Sequence, residues 1–113
     1  MIEKVLFDYL SDALPGVPVK MERPDKPPKR MVLIEKTGSS RNNRIESATV
    51  AIQSYAPSMF GAAELNQQVK AAMDNIVQLD SVARCELNSD YNYTDLNRKE
   101  YRYQAVYDLV HYE

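Results

Sequence analysis

The chain is short of most residues that chemistry is built from. Among 113 residues there is one cysteine, Cys85, one histidine, His111, three glycines and no tryptophan. A single cysteine closes no internal disulfide, and one Cys with one His cannot make up a zinc site by themselves. The glycines are isolated at 16, 38 and 61, so no Gly-rich phosphate cradle exists. There is no Ser-centred nucleophile elbow and no paired-acid motif, and no enzyme, cofactor or metal is expected. Cys85 lies in the strand-like run Val82–Leu87, and His111 stands two residues from the end. We expect a small core cysteine and a surface imidazole, not a nucleophilic pair.

Long apolar runs are also missing. Nothing approaches the roughly 20 residues of a membrane-spanning helix. At the start, Glu3, Lys4, Asp8 and Asp12 interrupt the apolar residues, unlike the separate hydrophobic region of a signal peptide. The expectation is a chain made and folded in a cytoplasm, with no membrane partner, and its length suits one domain over 1–113. The net charge of −2 conceals a division. Residues 20–44 hold eight Lys/Arg against three Asp/Glu, and the rest hold six against thirteen. Such segregation can steer a partner to one face.

What is present is periodicity. Residues 43–79 organise the chain. Ala48, Val50 and Ile52 alternate with Ser47, Thr49, Ala51 and Gln53, the period of a strand with one buried face, over 44–55. Pro57 ends it, and Ser58 stands where a helix N-cap belongs. Ala62, Leu65, Val69, Ala72, Met73, Ile76 and Leu79 then recur at three- and four-residue steps, predicting a helix of about 20 residues.

Before this unit, Ile2, Val5, Leu6, Tyr9, Leu10 and Ala13 form the stripe of a first helix that Pro15-Gly16 stops, with Lys4 and Asp8 spaced to pair. Val17, Val19 and Met21 read as a short strand that Pro18 places at a sheet edge. A proline-rich basic loop follows over 23–30. Met31–Ile34 is apolar on both faces and reads as a central strand extending to 36. Polar residues 37–44 then read as an exposed hairpin tip of about eight residues, where Arg41 and Arg44 are candidate partner contacts. Later, 81–88 reads as a strand and 88–99 as a turn-rich loop carrying Tyr91, Tyr93 and Arg98. Arg102 opens a closing strand over 100–112, antiparallel to the previous one.

The order α-β-β-β-α-β-β predicts an α+β fold: an antiparallel or mixed sheet of about five strands with two helices on one face. Its other face would be rich in Tyr, Gln, Thr and Arg. Eight tyrosines beside two phenylalanines favour surfaces buried on assembly, since tyrosine couples large contact area to a polar tip. The opening α-β-β-β-α is also the order of double-stranded RNA-binding domains. Those grip phosphates with a basic start to the second helix, whereas Ser58–Glu64 here has no basic residue and one acid. A nucleic-acid module therefore rests on the basic 20–44 region alone, and no specific nucleic acid is expected.

Three stretches resemble a known family. They are Val19-Lys20-Met21-Glu22-Arg23-Pro24 leading to Arg30-Met31-Val32-Leu33-Ile34-Glu35, the strand–helix unit from Ala48 through Met73, and Arg98-Lys99-Glu100-Tyr101-Arg102-Tyr103-Gln104-Ala105-Val106-Tyr107-Asp108. In pattern, order and length the chain resembles the small tail terminator and tail-completion proteins of long-tailed bacteriophages and prophages. The resemblance implies a structural virion protein in the neck region of the tail. It implies a ring, usually of six copies, that caps the head-proximal end of the tail tube, stops tube growth and presents a surface to the head connector. Partners would be other copies, the tube protein and the connector. The resemblance carries over no functional residue, so Arg41, Arg44, Tyr91, Tyr93, Arg98 and Arg102 are interface candidates from exposure and charge. Head closure or another minor tail role is an alternative, and a nucleic-acid-binding module is a second.

Overall fold

A computed structural model describes residues 1–112. Helix α1 (Ile2–Ala13) is followed by β1 (Val19–Lys20), β2 (Met31–Asn42), β3 (Ile45–Ala56), α2 (Met59–Met73), a 3₁₀ turn at Ile76–Gln78, β4 (Val82–Asn92) and β5 (Tyr101–Tyr112). The α+β class and the element order match the sequence expectation. One sheet runs β1-β2-β3-β5-β4. β1 is parallel to β2 and every other pairing is antiparallel.

Both helices pack on one face. Leu6 and Leu10 of α1 and Leu65, Val69 and Met73 of α2 meet Val32, Ile34, Val50, Ile52, Ala105 and Leu109 of the sheet in one buried cluster. The helices touch through the Tyr9 hydroxyl, which donates to the Ala72 carbonyl at 2.6 Å. Ser58 caps α2 as expected, its hydroxyl accepting from the Gly61 amide at 3.0 Å. Lys4 pairs with Asp8 at 3.0 Å on the exposed side of α1.

Four expectations need correction. There is no eight-residue hairpin tip. β2 and β3 stay paired out to Asn42 and Ile45, leaving a two-residue turn, Asn43-Arg44. Both turn residues are left-handed (φ 51° and 68°), the twist that lets a tight turn join antiparallel strands. Alternation fails over 37–44 because this arm meets solvent on both faces, so neither side selects apolar residues. The second helix stops at Met73, not 79. Ile76 remains fully buried, but through the 3₁₀ turn, whose three-residue repeat mimics the helical spacing. β4 continues to Asn92 and takes in Tyr91. Register shifts between Val82 and Arg84 and between Leu87 and Ser89 throw its alternation out of phase. Finally, His111 is buried, 4% exposed, on the helix-facing side of β5, with Nε2 3.6 Å from Glu46.

Arg44 occupies the turn position that glycine fills most comfortably, and its side chain makes no hydrogen bond or ion pair within the described residues. Arg44→Gly should therefore raise the urea midpoint, by about 1 kcal/mol of stability at a left-handed position. A fall in the midpoint would mean that the arginine stabilises the isolated fold.

Candidate interaction surface

The face of the sheet away from the helices carries the alternate residues of each strand, and no element covers it as a layer. Two regions differ along its length. The molecule measures 44 × 26 × 24 Å, so they stand at opposite ends of a long body.

At the first end the proline-rich loop returns to the sheet. Met31, Leu33 and Tyr55 form a second small buried cluster on this face. Arg23, from the loop, is bonded to Glu100, and its Cζ lies 5.8 Å from the Tyr55 ring centroid. That hydrogen bond to Glu100 raises the Arg23 pKa above its ordinary value, against a smaller opposing effect of burial. Arg102 approaches the same ring at 5.7 Å and the Tyr93 ring at 4.5 Å, both within cation–π range. Its Nε also donates to the Tyr93 carbonyl at 2.6 Å.

From Arg102 a chain of hydrogen bonds crosses three strands. Arg102 Nη1 donates to the Tyr55 hydroxyl at 3.1 Å, and that hydroxyl donates to Gln53 Oε1 at 2.7 Å. Gln53 Nε2 donates to Gln104 Oε1 at 2.8 Å, and Gln104 Nε2 donates to the Tyr91 hydroxyl. Gln53 and Gln104 are buried, and each satisfies the other as a directly opposed cross-strand pair. Tyr91 and Tyr93 meet edge to face with centroids 5.9 Å apart. The outcome is a stiff polar floor rimmed by partly exposed rings, with Leu96 72% exposed on the adjoining loop.

At the second end lies the β2–β3 hairpin. Ile45 and Tyr112 are opposed across β3 and β5, 43% and 51% exposed, beside Arg41 and Arg44. Between the two ends lies a concavity of about 460 Å³. Gly38 and the small side chains of Ser40 and Ser47 line one part of it, and Arg84, Glu86 and Asp108 another. The Asp108 carboxylate accepts from the Thr49 hydroxyl at 3.0 Å and from the Asn88 amide at 2.9 Å. Arg84 is bonded to Glu86 at 2.5 Å.

The six sequence candidates therefore do not form one site. Tyr91, Tyr93 and Arg102 come together. Arg41 and Arg44 sit some ten residues away along the strands, about 35 Å at roughly 3.4 Å per residue. Arg98 joins neither group, since it lies on the 93–100 loop with Nε 3.9 Å from Asp95. Sequence reading missed Tyr55, Gln53, Gln104 and Arg23. Gln53 and Gln104 were legible as polar residues recurring on one side of two strands, but nothing local showed that they oppose each other. Among the described residues no group of three or more His, Cys, Asp or Glu is placed to hold a metal ion, and no helix is long and apolar enough to cross a membrane.

Two outcomes check this description. Tyr55→Phe keeps the ring under both guanidiniums but removes the hydroxyl that joins Arg102 to Gln53. It should cost about 1–3 kcal/mol in chemical denaturation, the penalty for a buried acceptor left unpaired. Burial pushes the Cys85 thiol up to about 11, with Asp74 and Glu86 adding to the effect. A higher pKa means less thiolate at pH 8, so alkylation by iodoacetamide should be slow in the folded protein and quicken towards pH 11 or on unfolding. A rate at pH 8 equal to that of the unfolded chain would contradict it. No protein-family model matches the chain, and no curated protein is significantly similar to it in sequence.

Proposed function

We propose that the protein is a structural component of a phage tail: a ring-forming terminator that caps the head-proximal end of the tail tube and offers a surface to the head connector. The observation that carries this reading is an elongated sheet with one face bare of helices and two unlike exposed ends. One end is a basic hairpin with an apolar pair beside it, and the other is a tyrosine–arginine cluster on a rigid polar floor. A cyclic ring needs two different complementary patches on each copy, because its contacts are heterologous and must close. Exposed Tyr and Arg with some apolar contact area are the residues that protein interfaces favour. The resemblance in strand and helix order to tail terminators supports the same reading, which places the protein in the virion.

The polar chain from Arg102 to Tyr91 suits such a role. A residue held by several fixed partners loses little further freedom on docking, which lowers the entropic cost of assembly. The tail tube and the connector would each meet one side of the ring.

Deleting the gene from the parent phage or prophage and imaging lysates by negative stain checks the function. Tails of uncontrolled length, unattached to full heads, are the expected outcome. Tails of normal length that fail to join heads would reassign the protein to the connector, and normal infectious particles would sink the structural reading.

A further inference from the structure

The hairpin turn is built against its own stability. Arg44 is left-handed at φ 68°, where a Cβ is costly and glycine is not. Its guanidinium has no partner among the described residues. A strained residue whose side chain has no partner among the described residues is a candidate for an outside contact. Beside it, Ile45 and Tyr112 add exposed apolar area.

The concavity on the open sheet face has the opposite need. Asp108 lines it with only neutral donors, the Thr49 hydroxyl and the Asn88 amide, on its carboxylate. The nearby cation, Arg84, is engaged by Glu86. Small side chains leave the space about 460 Å³ in volume, within the roughly 300–1,000 Å³ of sites that enclose a ligand group. A two-residue turn cannot bend back onto its own sheet face, so one copy cannot satisfy both needs by itself.

We propose that the hairpin tip is a gripping arm between copies, Arg44 of one copy entering the concavity of the next and pairing with its Asp108. Tip and concavity are different patches of one chain, so the contact is able to repeat head to tail. This deepens the ring reading and rests on it for closure of the chain of contacts.

Charge reversal tests it by sedimentation of the purified full chain up to millimolar concentration. The wild type should self-associate. Arg44→Glu and Asp108→Arg should each weaken association by roughly a hundredfold, the scale of a broken interfacial charge pair. An equimolar mixture of the two variants should recover it, because every contact in an alternating assembly is then either native or reversed in both partners. Arg44→Gly should weaken association while the fold itself becomes more stable, which a purely structural role for Arg44 would not produce.

A wild type that stays monomeric overturns the proposal, as does a mixture of stably folded variants that does not recover. Closed rings indifferent to both reversals would overturn the arm and leave the ring standing. Open or dimeric assemblies that obey the reversals would keep the arm and remove the ring. Salt-sensitive DNA binding lost in Arg44→Glu, without self-association, would transfer Arg44 to nucleic acid.

Discussion

Everything in this molecule depends on β3 being paired on both sides from Ile45 to Tyr55. From Ile45 to Ala56 it is bonded to β5 on one side, and it is bonded to β2 on the other. Its helix-facing residues Val50 and Ile52 are fully buried, and Pro57 with the Ser58 cap turns the chain directly into α2, which lies back over the same strand. A strand in that position has no freedom of register. One residue of slip would exchange Val50 and Ile52 for Ala51 and Gln53 against the helices.

Such a sheet has a second face, and two helices cover only one. Burying the end of that second face nearest the proline-rich loop without a helix requires its polar groups to satisfy one another, and the Tyr55–Gln53–Gln104–Tyr91 chain does so. Arg23 and Arg102 complete it from the proline-rich loop and from β5, with their charges over the Tyr55 ring and Arg23 neutralised by Glu100. The prolines of 24–28 make sense here, because a stiff loop holds Arg23 against the sheet at less entropic cost than a flexible one. Towards the hairpin this polar filling gives way to small side chains and the concavity. The bare face is thus rigid at one end and hollow nearer the other.

The sheet leaves two stretches of strand edge exposed. β4 and the outer half of β2 are open to pairing, and each carries a register irregularity and charged side chains. These features discourage edge-to-edge aggregation.

By itself the sequence determined the order of the elements, both helix starts, the Ser58 cap, the burial of Ala48, Val50 and Ile52 against the helices and the α+β class. Each of these follows from local periodicity or from one residue's backbone chemistry. Only the tertiary structure decided where the irregular segments end. A strand solvated on both faces carries no alternation, a bulge reverses it, and a 3₁₀ turn imitates a helix, so the hairpin arm, the length of β4 and the end of α2 were illegible. It also decided that His111 is buried and that the six candidate residues belong to two distant ends with Arg98 apart. Which residues meet across a sheet is set by strand order and register. Those are relations between segments dozens of residues apart, and no local pattern encodes them.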